Sequence, residues 1–111
     1  MEDLALTTLD FRNESESAGR ISIPLQYRLE QNYPNPFNPV TNLEFAISKT
    51  GYVTLKIYDV LGKEIRTLLN EIKQPGIYKV EFDGSSLSSG IYFYTINTQG
   101  FTDTKRMVLL K

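Results

Sequence analysis

The chain has 111 residues, of which 41% are hydrophobic, and a formal net charge of −1. This size and apolar share suit one domain with its own packed core. The sequence contains no histidine and no cysteine, which excludes imidazole-based catalysis, disulfides and thiolate metal sites. Acidic and basic residues are nearly equal in number, whereas a nucleic-acid-binding protein usually has a basic surface patch. No apolar run is long enough for a transmembrane helix.

The N-terminal part of the chain differs in composition from the rest. The first residues lack the cationic start and apolar run of a secretory signal peptide, so the signal of an exported precursor would lie upstream. Residues 12–20 are polar or small and show no periodicity, as linkers do. The sequence therefore predicts a linker or upstream remnant at residues 1–20 and a folded domain at residues 21–111.

A first strand is predicted where apolar residues begin to alternate with polar ones, at Ile21, Ile23, Leu25, Tyr27 and Leu29. This is the period of a strand with one buried face. Because proline has no backbone donor, Pro24 marks at least part of this strand as a sheet edge.

Residues 33–39 follow, with three of the five prolines of the chain. Each proline fixes its own φ and restricts the residue before it, which excludes a helix or a central strand. The segment is predicted to be a stiff corner, with Tyr33 and Phe37 as anchors that pack onto the core. The side chains of Asn32, Asn35 and Asn38 are expected to bond nearby backbone groups.

The rest of the chain alternates in short segments separated by Gly, Asp, Asn and Ser turns. The predicted inward-facing residues are Leu43, Phe45 and Ile47, then Val53, Leu55 and Ile57, then Tyr78, Val80 and Phe82, and finally Tyr92, Tyr94 and Ile96. Residues 59–62 are a predicted hairpin turn, capped by Asp59 and closed by Gly62. Residues 64–69 are the return strand, 70–76 a longer loop and 102–110 the last strand.

The apolar Ile91 and Phe93 on the opposite face of one segment predict a central strand covered on both sides. About seven short strands at roughly ten-residue spacing are typical of a sandwich. The predicted fold is all-β, an immunoglobulin-like antiparallel β-sandwich of about seven strands.

Four stretches resemble one known family. Residues 27–39, YRLEQNYPNPFNP, resemble the start of the type A C-terminal sorting domain of the type IX secretion system. Residues 75–84 resemble its proline–glycine motif, 88–94 its glycine–aromatic strand and 104–111 its terminal basic-then-apolar motif, all in the family's order. One departure is that Pro75 and Gly76 are adjacent, whereas the family usually has a residue between them.

This resemblance implies an immunoglobulin-like fold related to a domain of flagellar hook-capping proteins. It also implies a cargo protein on the N-terminal side and a signal read by the outer-membrane type IX secretion machinery of Bacteroidetes-like bacteria. In the family, the domain stays folded in the periplasm and is often removed by a sortase-like peptidase. The cargo is then expected to be secreted or held at the cell surface.

The candidate recognition residues lie at the chain's end: Lys105, Arg106, Met107, Val108, Leu109, Leu110 and Lys111. The functional interpretation is a docking patch for an acidic receptor surface, on an edge strand that a receptor could extend by adding a strand. The alternative is a solvated edge protected by lysine. The structural-motif residues are Asn32, Tyr33, Pro34, Asn35, Pro36, Phe37, Asn38, Pro39, Pro75, Gly76, Gly84 and Gly90, with turn geometry as the role of the glycines.

Other candidate chemistry has simpler explanations. The residues Tyr52, Tyr58, Tyr78, Tyr92 and Tyr94 suit either a sugar-binding face or core packing, and core packing is preferred. Asp59, Asp83 and Asp103 suit turn capping better than Ca²⁺ binding because they are scattered. No set of residues typical of a catalytic site stands out, so we expect neither enzymatic activity nor a bound cofactor.

Two alternative functions stay open at this point. One is an accessory module of a secreted enzyme, either carbohydrate-binding or structural. The other is self-association through residues 1–25, whose alternating strand has no assured partner. No nucleic-acid partner is expected.

Overall fold

The computed structural model describes residues 23–111. These residues form seven strands and no helix, so none of them belongs to a helix that is long and apolar enough to cross a membrane. The strands are β1 (Arg28–Leu29), β2 (Val40–Ile47), β3 (Gly51–Tyr58), β4 (Glu64–Lys73), β5 (Gly76–Asp83), β6 (Gly90–Thr98) and β7 (Phe101–Leu109). The linker predicted at residues 1–20 and most of the self-association segment at residues 1–25 lie outside the described residues.

All strand pairs are antiparallel and fall into two sheets. The smaller sheet has the order β1-β2-β5, and the larger has the order β4-β3-β6-β7. Apolar side chains from both sheets form one buried cluster between them, which is the core of a β-sandwich. The predicted all-β antiparallel sandwich of about seven strands is confirmed.

The buried faces of four long strands, β2, β3, β5 and β6, follow from alternation. Every predicted inward residue of β2, β3 and β6 is buried, as is Phe82 on β5, while Tyr78 and Val80 pack against the core half-buried. Because successive side chains point to opposite faces of a strand, the sequence pattern alone places these residues.

The predicted strand at residues 21–29 is wrong over most of the part that the structure describes. Only Arg28–Leu29 pairs, and Ile23 and Leu25 are 60% and 94% exposed. The register explains the difference, because Arg28 lies opposite Ala46 and β2 ends at Ile47. Residues before Tyr27 therefore run past the end of their partner strand. The predicted edge position is confirmed, since β1 is the outermost strand of its sheet.

Two further expectations fail for related reasons. The predicted loop at residues 70–76 is largely strand. Strand β3 begins at Gly51, which lies opposite Lys73, so β4 stays paired as far as Lys73. Only Gln74 and Pro75 separate β4 from β5. Strand β6 is interior to its sheet as predicted, but on its outer face Ile91 is 39% exposed and Phe93 is half-buried, so the described residues cover that face only in part.

The predicted hairpin turn between β3 and β4 is confirmed. The Asp59 carboxylate accepts hydrogen bonds from the backbone N–H groups of Leu61 and Lys63, both at 2.9 Å. Gly62 has a φ of +85°, a conformation that residues with a Cβ adopt only at a cost.

Candidate functional site

The proline corner lies along the outer edge of the last strand. The N–H of Phe37 donates to the carbonyl of Val108 at 2.9 Å, and the N–H of Leu110 donates to the carbonyl of Phe37 at 3.0 Å. The Asn35 Oδ1 accepts from the N–H of Val108 at 3.0 Å. A segment that is distant in sequence therefore pairs with the C-terminal end of β7.

This pairing corrects the expectation that the edge is open at the chain's end. Both backbone groups of Val108 and the N–H of Leu110 are already bonded to the corner, and the carbonyl of Arg106 accepts from Gln31 Nε2 at 2.7 Å. A partner strand cannot add there without displacing the corner. Among the described residues, no segment pairs with the outer edge in the first half of β7, around Thr102 and Thr104, where the Thr104 N–H bonds the neighbouring Asp103 carboxylate at 2.9 Å.

The two predicted aromatic anchors of the corner behave differently. Phe37 is 1% exposed, with its ring edge-on to Phe82 at 6.0 Å between centroids. Tyr33 is 80% exposed, so its prediction as an anchor is wrong. Tyr33 forms an antiparallel bridge with Asn42, and residues opposite each other in such a bridge share a face. Because Thr41 and Leu43 point inward, Asn42 and Tyr33 point outward.

A buried polar network joins the corner to both sheets. Asn32 Nδ2 donates to Thr41 Oγ1 at 3.0 Å and to the Pro34 carbonyl at 3.1 Å. The Tyr94 hydroxyl accepts from the N–H of Asn32 and donates to the carbonyl of Glu30, both at 2.7 Å. Burial is the main cause that raises the pKa of Tyr94 to about 12. Buried polar groups need partners, so this network fixes how the chain enters the corner.

The asparagine expectations hold in part. Asn32 bonds a nearby carbonyl, as predicted, whereas Asn35 bonds the backbone of Val108 far along the chain.

The peptide bonds preceding Pro34, Pro36 and Pro39 are all cis. Asn38 is exposed, and so are Pro34 and Pro36, while Pro39 is half-buried.

Gly84 lies where the corner, β5 and β7 meet. Its N–H donates to the Pro39 carbonyl at 2.8 Å. A Cβ at this position would lie 3.2 Å from Leu109 Cδ2 and 3.3 Å from Phe37 Cε2. Both neighbours are buried, so neither can move away cheaply.

We expect Gly84→Ala to lower the free energy of unfolding by about 1–3 kcal/mol through overpacking. Gly51→Ala is the matched control, because its nearest contact would be the flexible Gln99 side chain at 3.7 Å. Urea denaturation of both variants measures the difference. Equal stability of the two would contradict the close approach at Gly84.

The C-terminal residues divide between two environments. Met107 and Leu109 are fully buried in the core, whereas Arg106, Leu110 and Lys111 are exposed. The remaining two, Lys105 and Val108, are half-buried, and Lys105 forms an ion pair with Asp103 at 3.8 Å. The Lys111 ammonium donates to the Ser85 carbonyl at 2.5 Å, and its N–H donates to Ser89 Oγ at 3.0 Å. The last residue is thereby held against the loop between β5 and β6.

Three of the four motif stretches meet at this end of the sandwich. The corner, the segment that contains Gly90 and the C-terminal strand are joined by the Phe37–Leu109 bridge and the Gly90–Leu109 pair. Gly84 ends the remaining stretch and also lies here, but Pro75 and Gly76 begin that stretch at the opposite end of β5.

The alternative chemistries find little support in the geometry. Of the five tyrosines, Tyr78, Tyr92 and Tyr94 belong to the core side, while Tyr52 and Tyr58 lie on the outer face of the larger sheet. They therefore do not form one sugar-binding face. Asp59 caps its turn as predicted, and hydrogen bonds from the side chain and backbone of Ser85 lower the pKa of Asp83. No group of three or more potential metal ligands occurs within residues 23–111.

Two features of this end are absent from the sequence predictions. One is the role of the Tyr94 hydroxyl, for which the sequence carries no local signal because its partners are more than 60 residues away. The other is the exposure of Val60 and Leu61, at 64% and 90%. The exposure of Val60 and Leu61 could have been predicted from the sequence, because they are the central residues of the turn that Asp59 and Gly62 identify.

Comparison with known protein families gives one match. The family described as "Secretion system C-terminal sorting domain" matches residues 31–110, while a search of curated proteins found no match. This family is a sorting signal rather than a catalyst, and the carbohydrate-binding or structural alternative is not favoured. Its function implies interaction with the type IX secretion machinery, a cargo region on the N-terminal side, and delivery to the cell surface or medium. Since the match covers most of the chain, the chain belongs to the family of secretion system C-terminal sorting domains and is a sorting signal for type IX secretion.

Proposed function

We propose that the secretion machinery reads this domain in its folded state, at the end where the proline corner meets the C-terminal strand. The observation that carries the proposal is the bridge between Phe37 and Leu109. It holds the terminal residues in one geometry, so that exposed side chains are presented from fixed positions. A preorganised surface loses less entropy on binding than a flexible tail does.

The recognition residues have distinct roles in this proposal. Arg106, Leu110 and Lys111 are exposed and supply the contacts, with Lys105 and Val108 at the margin. Met107 and Leu109 are buried and act as positioning residues that fix the strand. The partner surface is expected to be acidic, to complement the cations, and to offer apolar contact for Leu110.

The wider pathway is proposed from the family resemblance. The domain folds in the periplasm, contacts the outer-membrane machinery and is then removed from its cargo by a sortase-like peptidase. Residues 21–111 form the domain and residues 1–20 the linker to the cargo. The family match to residues 31–110 supports this division. The chain itself carries out no reaction.

An export assay with charge-reversal variants tests the recognition surface. The whole chain is fused to the C-terminus of a fluorescent protein in a bacterium with type IX secretion. Deleting residues 105–111 would remove the core residues Met107 and Leu109 and would therefore confound folding with recognition. The double variant Arg106→Glu/Lys111→Glu keeps both core residues and alters two exposed side chains. Thermal unfolding of the purified variant checks that loss of the bond from Lys111 to the Ser85 carbonyl leaves the fold intact.

We expect the unaltered fusion to reach the surface or medium, and the double variant to be exported about tenfold less or worse, as loss of interface charges predicts. The control, Lys49→Glu/Lys79→Glu, makes the same change of net charge at other exposed positions and should be exported normally. Retention of the unaltered fusion in the periplasm would refute the proposal. Normal export of the Arg106→Glu/Lys111→Glu fusion would refute the assignment of these residues.

A further inference from the structure

The turn between β3 and β4 presents two apolar side chains to solvent from a rigid frame. Val60 is 64% exposed and Leu61 90% exposed. The turn is closed by the bonds from Asp59 N to Lys63 O and from Gly62 N to Asp59 O, both at 3.0 Å. The Asp59 carboxylate adds two more bonds at 2.9 Å. Exposed apolar side chains that belong to a contiguous patch, rather than scattered singly, are typical of a contact surface.

A groove of about 300 Å³ lies beside this turn on the outer face of the larger sheet. Its walls include Tyr58, Val60 and Phe93, with Thr95 and Thr104 from the two neighbouring strands. The groove is therefore mainly apolar, with hydroxyl groups on one side. It is large enough to take one or two side chains of a partner.

This groove continues into the proposed recognition strand. Phe93 lies directly opposite both Tyr58 on β3 and Arg106 on β7. The next pair on the same face is Ile91 and Val108. Apolar side chains thus extend from the turn to the C-terminal strand, and Arg106 stands among them. None of the described carboxylates forms an ion pair with Arg106.

We propose that this surface, which we call the outer patch, docks onto a receptor protein of the secretion machinery. The outer patch consists of Tyr58, Val60, Leu61, Ile91, Phe93, Arg106 and Val108. The receptor segment would place an apolar side chain in the groove and a carboxylate against Arg106, and would offer a cleft to Leu61. This inference rests on the proposed function, and it adds a second contact region more than 40 residues before the C-terminus.

Charge favours a protein over a membrane surface as the occupant. Near the groove, Glu64 is paired with Lys56 at 3.3 Å. The remaining cations, Lys63 and Arg106, exceed Asp59 by a single charge, whereas binding to anionic lipid relies on a cluster of cations. An isolated cation within an apolar surface is instead suited to one partner carboxylate.

The test uses the same whole-chain fusion with Val60→Ser/Leu61→Ser. The control is Tyr52→Ser/Ile72→Ser, an exposed apolar pair at the other end of the same outer face. We expect the first variant to be exported about tenfold less or worse, as the loss of apolar anchors predicts, and the control to be exported normally. Thermal unfolding of both purified variants should match that of the unaltered chain, which separates loss of docking from loss of folding.

The outcomes distinguish this inference from the proposed function. If the unaltered fusion is not exported, the proposed function fails. If Arg106→Glu/Lys111→Glu blocks export while Val60→Ser/Leu61→Ser does not, only the outer patch is refuted. Light scattering and co-sedimentation with anionic phospholipid vesicles test the other occupants. A dimer, or vesicle binding, that Val60→Ser/Leu61→Ser abolishes would overturn the receptor proposal.

Discussion

Replacing Phe37 by alanine is expected to lower the free energy of unfolding by about 3–5 kcal/mol, as for other buried aromatic residues. The Phe37 ring is 1% exposed and packs edge-on against the Phe82 ring. The Arg66 guanidinium lies over the Phe82 ring, 5.2 Å from its centroid. Its removal leaves a cavity at the point where the corner holds β7. Since a domain of this size has only about 5–15 kcal/mol of stability, the variant should lose a large fraction of it.

Tyr33→Ala is the matched control, because this ring belongs to the same corner but is 80% exposed. Its cost should stay within about 0.5 kcal/mol. Urea denaturation followed by circular dichroism measures both variants. If Phe37→Ala were as stable as Tyr33→Ala, the corner would not be anchored through Phe37, and the fixed geometry of the C-terminal strand would lose its basis. In the export assay, Phe37→Ala should also impair surface delivery, although residue 37 is not a proposed contact residue.

Replacing Tyr94 by phenylalanine is expected to cost about 2–4 kcal/mol, because a buried N–H group and a half-buried carbonyl lose their partner. The ring is retained, so no cavity forms. The hydroxyl bonds the N–H of Asn32 and the carbonyl of Glu30, and no other partner for either group is present among the described residues. Tyr92→Phe is a milder control, since its hydroxyl bonds only the Ser88 carbonyl near the surface.

The same tyrosine predicts a loss of stability in alkaline solution. Burial raises the pKa of Tyr94 from 10.0 to about 12, so the fold favours the neutral phenol. The unfolded chain releases this proton at lower pH, and the folded state therefore binds more protons between pH 10 and 12. Stability from this group is complete below pH 10 and is lost as the pH rises toward 12.

Unfolding free energies of the natural chain and of Tyr94→Phe at pH 8, 10 and 11 check this expectation. The natural chain should lose stability more steeply above pH 10, so that the difference between the two proteins narrows. A constant difference across this range would show that Tyr94 titrates as in the unfolded chain. The other tyrosines titrate in both proteins, so the comparison isolates residue 94.

The sequence predicts part of the end of the sandwich where the proline corner meets the C-terminal strand. The prolines identify the corner, since their fixed φ excludes helix and central strand. The burial of Met107 and Leu109 is not predicted, because residues 107–110 are all apolar and do not alternate. The outward direction of the Tyr33 side chain cannot be predicted from the sequence, because it depends on the bridge to Asn42. The covered edge of β7 is likewise hidden, since Phe37 and Val108 are brought together only by the folded sandwich.

The sequence by itself determined the all-β class, the inward faces of β2, β3, β5 and β6, and the turn at Asp59 and Gly62. These depend on local periodicity and on residue-specific backbone preferences, which act over a few neighbouring residues. The tertiary structure decided where β1 begins and where β4 ends, which corner residue is buried, and which half of β7 is left unpaired. These depend on strand register and on contacts between the two sheets, which join residues that no local pattern connects.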